Sequence, residues 1–156
     1  DRGGDWSSDV ALPIYFIKVH EFAKLIGSME KISSDNMEIL EVAAIVHDIG
    51  IKVSMKKHGK CNGKLQEQEG PICAEKLLNR LEFKKEVIER VSYLVAHHHT
   101  YSNIDGIDYQ ILVEADFLVN LYENQNDKET IQNTYNKIFK TESGRKLCSQ
   151  MFIIKD

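Results

Sequence analysis

The sequence predicts an all-α, single-domain helical bundle, and three observations carry that expectation. Two prolines and nine glycines are few breaks for 156 residues. Apolar residues recur at helical i, i+3, i+4 spacing through almost the whole chain. No pair of alternating apolar and polar runs flanks a hairpin turn, so no strand pair is expected. The length suits one domain with a proper core and is too short for two typical ones.

Taken in order, the first helix runs to about Gly27, with Pro13 in its first turn, where a missing N–H costs nothing. Leu12, Tyr15, Phe16, Val19, Phe22, Ala23 and Ile26 give it an apolar stripe. Ser34 and Asp35 are candidate caps for a second helix, "NMEILEVAAIVHD", ended by Gly50. "IKVSMKKHGKCNGK" then reads as a lysine- and glycine-bearing loop, and Pro71 as the opening of the next helix. A helix from Lys84 to about His98 follows, with Val87, Val91, Leu94 and His98 on one stripe. "SNIDG" is a turn, "YQILVEADFLVNLYE" a long helix, and two more helices are expected near 127–139 and 143–152.

Composition narrows the function classes. Apolar residues at 42% and charged residues at 28% are ordinary for a globular chain. A net charge of −4 offers no general reason to bind a nucleic-acid polymer or a membrane surface, so neither is expected as a partner. Three cysteines without CxxC spacing read as reduced thiols, and no leader pattern or membrane-length apolar run is seen. The expectation is a soluble, cytoplasmic protein.

The chemistry concentrates in a few places. In "AAIVHDIG" an apolar run leads straight into His47 and Asp48. A buried imidazole needs hydrogen bonds, and a buried carboxylate is costly unless paired or bound to a cation. A lone HD dipeptide is more often a satisfied core histidine beside a helix end. Here it has company. His20 borders an apolar face through Phe16, Ile17 and Ala23, and Asp116 has Leu112, Val113 and Val119 as helical neighbours. Imidazole and carboxylate together suit Zn, Fe or Mn.

The ordered pattern His20…His47-Asp48…Asp116 on an all-helical scaffold resembles the HD superfamily of metal-dependent phosphohydrolases. The resemblance spans about residues 10–125, including "HDIG", the "EGPICAEKLL" helix and the histidines before "EAD". The C-terminal helices of 126–156 lie beyond it, and 1–156 is read as one HD-type domain. It implies a metal held by His20, His47, Asp48 and Asp116, with Asp48 also orienting or deprotonating an attacking water. The ion is expected to be a divalent transition metal (Fe, Mn, Zn, Ni or Co), with Mg also compatible. One is expected and a second has room.

Lys52, with Lys56, Lys57, Lys60 and Lys64, puts five of twenty basic residues into thirteen positions. Most suit a solvated loop, but Lys52, nearest the motif, is assigned a catalytic and phosphate-binding role. His58 reads as a surface histidine. In the triplet His97-His98-His99, helical spacing turns His98 inward with His99 beside it, while His97, following Glu86, Arg90 and Tyr93, faces water. His98 is therefore expected as a second-metal ligand or phosphate contact, and His98 and His99 as substrate-binding residues. Where the resemblance calls for a further histidine stands Gln66, a poor ligand, with Glu67 and Glu69 as potential substitutes.

The expected activity is hydrolysis of a phosphate ester of a small metabolite, a nucleotide foremost, by metal-activated water. Two readings compete: a non-catalytic sensor binding metal and nucleotide, and a diiron oxygenase of the same superfamily. Tyr93, Tyr101 and Tyr109 suit core or rim positions better than base stacking. The terminal "KLCSQMFIIKD" can pack on the bundle or on a second subunit, so a homodimer is a candidate assembly.

Overall fold

The computed structural model describes residues 11–154 as eight helices, with no strand among them. They are α1 (Ala11–Met29), α2 (Ser34–Val46), α3 (Gly50–His58), α4 (Gly63–Arg80), α5 (Lys85–His97), α6 (Ile107–Glu123), α7 (Lys128–Ile138) and α8 (Glu142–Phe152). No helix of the described residues is long and apolar enough to cross a membrane. The all-α class read from the sequence holds.

Helix α6 is the spine. It buries residues on every side, from Tyr109 to Leu121, and packs against α1 and α2. A helix apolar all round belongs inside, and this one carries two carboxylates, Glu114 and Asp116, into the core with it. Helix α2 bridges α1, α5 and α6, while α4 lies between α3 and α5. Tyr15, Val19, Ala23 and Ile26 form the buried edge of α1 at exposures of 0–5%. The opposite side of the same helix leaves Ile14 and Ile17 exposed. At the C-terminus, Leu147, Phe152 and Ile154 pack on the core, whereas Ile153 stays at the surface.

Three boundaries differ from the sequence reading. The cap of α2 is Ser33, whose Oγ accepts from the Asn36 N–H at 3.2 Å, one residue before the expected pair. The expected loop after Gly50 is largely α3, because Ile51 and Ser54 turn inward and give the lysine-rich segment a face to bury. Gly59, at φ 65, ends it in the left-handed conformation that glycine adopts without strain. Finally, Pro71 does not open α4 but lies inside it. The helix begins at Gly63, capped by Asn62, whose Oδ1 accepts from the Leu65 N–H at 3.0 Å.

Two glycines let α3 and α4 touch backbone to backbone. A Cβ built on Gly50 would sit 2.8 Å from the Gly70 nitrogen, and one on Gly70 would sit 2.7 Å from Val95 Cγ1. That contact brings the start of α3, two residues after Asp48, against the middle of α4 and the inner face of α5.

Candidate metal centre

Helix ends place the key side chains. His47 caps the C-terminus of α2 and His98 that of α5. Each ring is oriented by the turn behind it. The Nδ1–H of His47 donates to the Ala44 carbonyl at 2.8 Å, and that of His98 donates to the Val95 carbonyl at 2.8 Å. With Nδ1 donating to a carbonyl, Nε2 is the nitrogen left to face inward, and in the neutral ring it is the one that can ligate a metal.

Both Nε2 atoms face Asp48. His47 Nε2 lies 3.4 Å from Asp48 Oδ2, and His98 Nε2 lies 3.3 Å from Asp48 Oδ1. Asp116, brought in by α6, places its Oδ1 3.3 Å from His47 Nε2. The two imidazoles stand edge to face, with centroids 5.2 Å apart. His47, Asp48, His98 and Asp116 are 0–4% exposed. The ligand atoms converge in two sets, His47–Asp48–Asp116 and Asp48–His98–His99, each within 4.8 Å, and Asp48 belongs to both.

These residues fit a divalent ion. Imidazole nitrogens mixed with carboxylate oxygens match the preferences of Zn, Fe, Mn, Ni or Co. Carbonyls behind Nδ1 are the outer support that metal-ligating histidines use. Two carboxylates in the interior each carry a desolvation cost of several kcal/mol, which an ion between them would offset.

The structure brings together His47, Asp48, Asp116, His98 and His99 from the sequence-read site. It does not bring His20 to them. The His20 ring is half-buried, with Nε2 2.9 Å from Glu41 Oε1 and Nδ1 3.0 Å from Glu21 Oε1. Lys52 is exposed on α3. His97, half-buried, stacks on Tyr93 at 4.2 Å and donates from Nδ1 to the Tyr93 carbonyl at 2.7 Å.

Around the centre, Gln66 is buried and its Oε1 lies 2.9 Å from His99 Nε2, while its Nε2 donates to Cys61 Sγ at 3.3 Å. Glu67 accepts from the His99 N–H and the Thr100 hydroxyl, both at 3.0 Å, so it ties α4 to the end of α5. Glu69 is bound by Lys57 at 2.6 Å and by His58 at 3.1 Å, and these two bonds hold its carboxyl below the ordinary range. Neither glutamate belongs to the converging sets among the described residues.

Sequence reasoning missed Tyr15. Its hydroxyl donates to Asp116 Oδ1, and its ring lies 6.2 Å from that of His47. The signal was its i, i+4, i+8 register with Val19 and Ala23, read only as core.

The helices and the buried histidine–aspartate cluster together define an all-helical domain built around a metal-capable centre. Residues 16–139 match the HD domain family model, and the chain belongs to that family, whose members are mostly metal-dependent hydrolases. No curated protein and no solved structure matches the chain.

Proposed function

We propose that this chain is a metal-dependent phosphohydrolase that cleaves a phosphate ester of a small metabolite, a nucleotide foremost. The observation that carries the reading is the Asp48 carboxylate, buried between the inward-facing Nε2 atoms of His47 and His98 and joined by Asp116. His47, Asp48 and Asp116 would hold a divalent transition ion, Mg also being compatible, and Asp48, His98 and His99 would be the set for a second. Such an ion supplies an acidified water and offsets phosphate charge.

The chain's own groups do the rest. Asp48 orients the attacking water and accepts its proton, a carboxylate being an acceptor only when ionised. His98 and His99 meet the substrate side of Asp48, their rings 4.0 Å apart. Lys52, an exposed residue of α3 one turn beyond Asp48, draws the phosphate toward the centre.

The test is a panel of phosphomonoesters, phosphodiesters and nucleotides offered to protein loaded in turn with Mn²⁺, Fe²⁺, Zn²⁺, Ni²⁺, Co²⁺ and Mg²⁺. Metal-dependent phosphate release that Asp48→Asn lowers on the order of 10³-fold supports the reading. No turnover with any ion removes it. The near-complete burial of the centre favours one second reading, a non-catalytic sensor. That reading predicts thermal stabilisation by a nucleotide with no product formed.

A further inference from the structure

We propose that Tyr15, and not His20, is the residue through which α1 completes the metal centre, acting as a positioning residue for Asp116. The inference rests on the metal-centre reading above. Tyr15 is 5% exposed, and its hydroxyl donates to the same Asp116 oxygen that lies 3.3 Å from His47 Nε2. A phenol has one proton to give and a carboxylate accepts. Hydrogen bonds to an ionised acceptor are roughly twice as strong as neutral ones. This bond joins the first helix to the sixth and fixes the rotamer of Asp116, as outer partners fix carboxylate ligands at metal sites.

Helix periodicity explains why His20 does not take this place. Tyr15, Val19, Ala23 and Ile26 are the residues that α1 buries, so the stripe facing α2 and α6 passes through Val19. His20 is one residue on, turned by about 100°. It lines an apolar surface depression with Phe16, Ile17 and Ile45, and its two nitrogens meet Glu21 and Glu41. Reaching Asp116 would require leaving both carboxylates and rotating the helix against its own core.

The experiment is calorimetric titration of Mn²⁺ into the full chain, as wild type, Tyr15→Phe and His20→Ala. Tyr15→Phe keeps the ring and removes the donor, and is expected to weaken Mn²⁺ binding about 10–100-fold. His20→Ala is expected to stay within about threefold of wild type, the scatter of a surface change. Tyr15→Phe that binds as wild type, or His20→Ala that loses more than that, overturns the inference while leaving the centre intact. Wild type that takes up no Mn²⁺ overturns the centre itself, and is seen before any variant. A double-mutant cycle on unfolding of the apo-protein gives a readout free of metal. The effect of Tyr15→Phe should vanish in an Asp116→Ala background, which removes the acceptor, and additive effects would overturn the bond.

Discussion

The imidazole of His98 meets the carboxylate of Asp48 across fifty residues of chain, Nε2 to Oδ1 at 3.3 Å. The other oxygen of Asp48 faces His47 instead, at 3.4 Å. The two histidines are therefore not equivalent, although both are buried and both are braced through Nδ1. His47 shares its set of converging donor atoms with Asp116, whereas His98 shares its own with His99. His47→Gln should weaken the first equivalent of Mn²⁺ by on the order of 100-fold, the scale of losing a ligand's support or more. His98→Gln should leave that first equivalent nearly intact and lower turnover. Calorimetry and phosphate release on the same samples check the order, and equal losses of affinity in both variants would contradict it.

Gly50 and Gly70 test whether backbone contact sets the centre. A methyl on Gly50 meets the Gly70 backbone at 2.8–2.9 Å, and backbone cannot rotate away as a side chain can. Gly50→Ala should therefore destabilise by about 1–3 kcal/mol, the cost of overpacking. Because Asp48 sits two residues earlier, metal affinity should fall with it. Gly59→Ala is the contrast: its Cβ meets open space, and only the left-handed backbone is penalised, by about 1 kcal/mol. Urea unfolding separates the two variants, and unchanged metal binding in Gly50→Ala would break the link.

Glu69 makes a pH prediction. Lys57 first and His58 second hold its carboxyl below the ordinary value of 4.5. In acid the unfolded chain takes up this proton before the folded chain does, so stability rises with pH through that window. The contribution is present above the unfolded value and is lost as pH falls through the folded one. Glu69→Gln cannot titrate. Its stability gap from wild type should close as pH is lowered from neutral toward about 3. Urea midpoints across that range measure it, and a gap that stays constant would sink the account.

Glu114 anchors the C-terminal helices. Fully buried in α6, it accepts from Gln110 Nε2 and the Lys140 N–H at 2.7 Å, and from the Thr141 N–H at 2.9 Å and hydroxyl at 2.5 Å. Glu114→Ala strands these donors and should cost about 3 kcal/mol or more. Cys148 reports the same region, because burial, with Glu114 adding its charge, pushes its thiol up to about 12. In wild type it should react with an aromatic disulfide reagent far more slowly than Cys61 and Cys73, which are part-exposed. Glu114→Ala should accelerate it. Equal reactivity of all three thiols in wild type would refute the packing.

How far the sequence reaches can be judged residue by residue. Helical spacing alone put Val87, Val91, Leu94 and His98 on one buried stripe of α5, and apolar neighbours alone marked His47 and Asp116 as polar groups in a core. Those are local properties, and a period of 3.6 residues reports them well. It reports poorly where two faces of a helix are nearly equally apolar. On α1, Phe16, Ile17 and Ala23 argue for His20 almost as well as Val19 and Ala23 argue for Tyr15. The two side chains point about 140° apart around the helix, and the packing of α1 on α2 and α6 decided which of them reaches Asp116. The lysine-rich α3 was invisible for a related reason, since its two inward residues, Ile51 and Ser54, acquire a face to bury only when Gly50 and Gly70 let α4 close upon them. The sequence by itself determined the helical class, the family pattern and the donors of His47, Asp48, Asp116 and His98. Only the tertiary structure decided which oxygen of Asp48 each histidine meets and which α1 side chain stands behind Asp116. Both turn on contacts between residues far apart in the chain, His98 with Asp48 and Tyr15 with Asp116, and no periodicity within a single helix contains them.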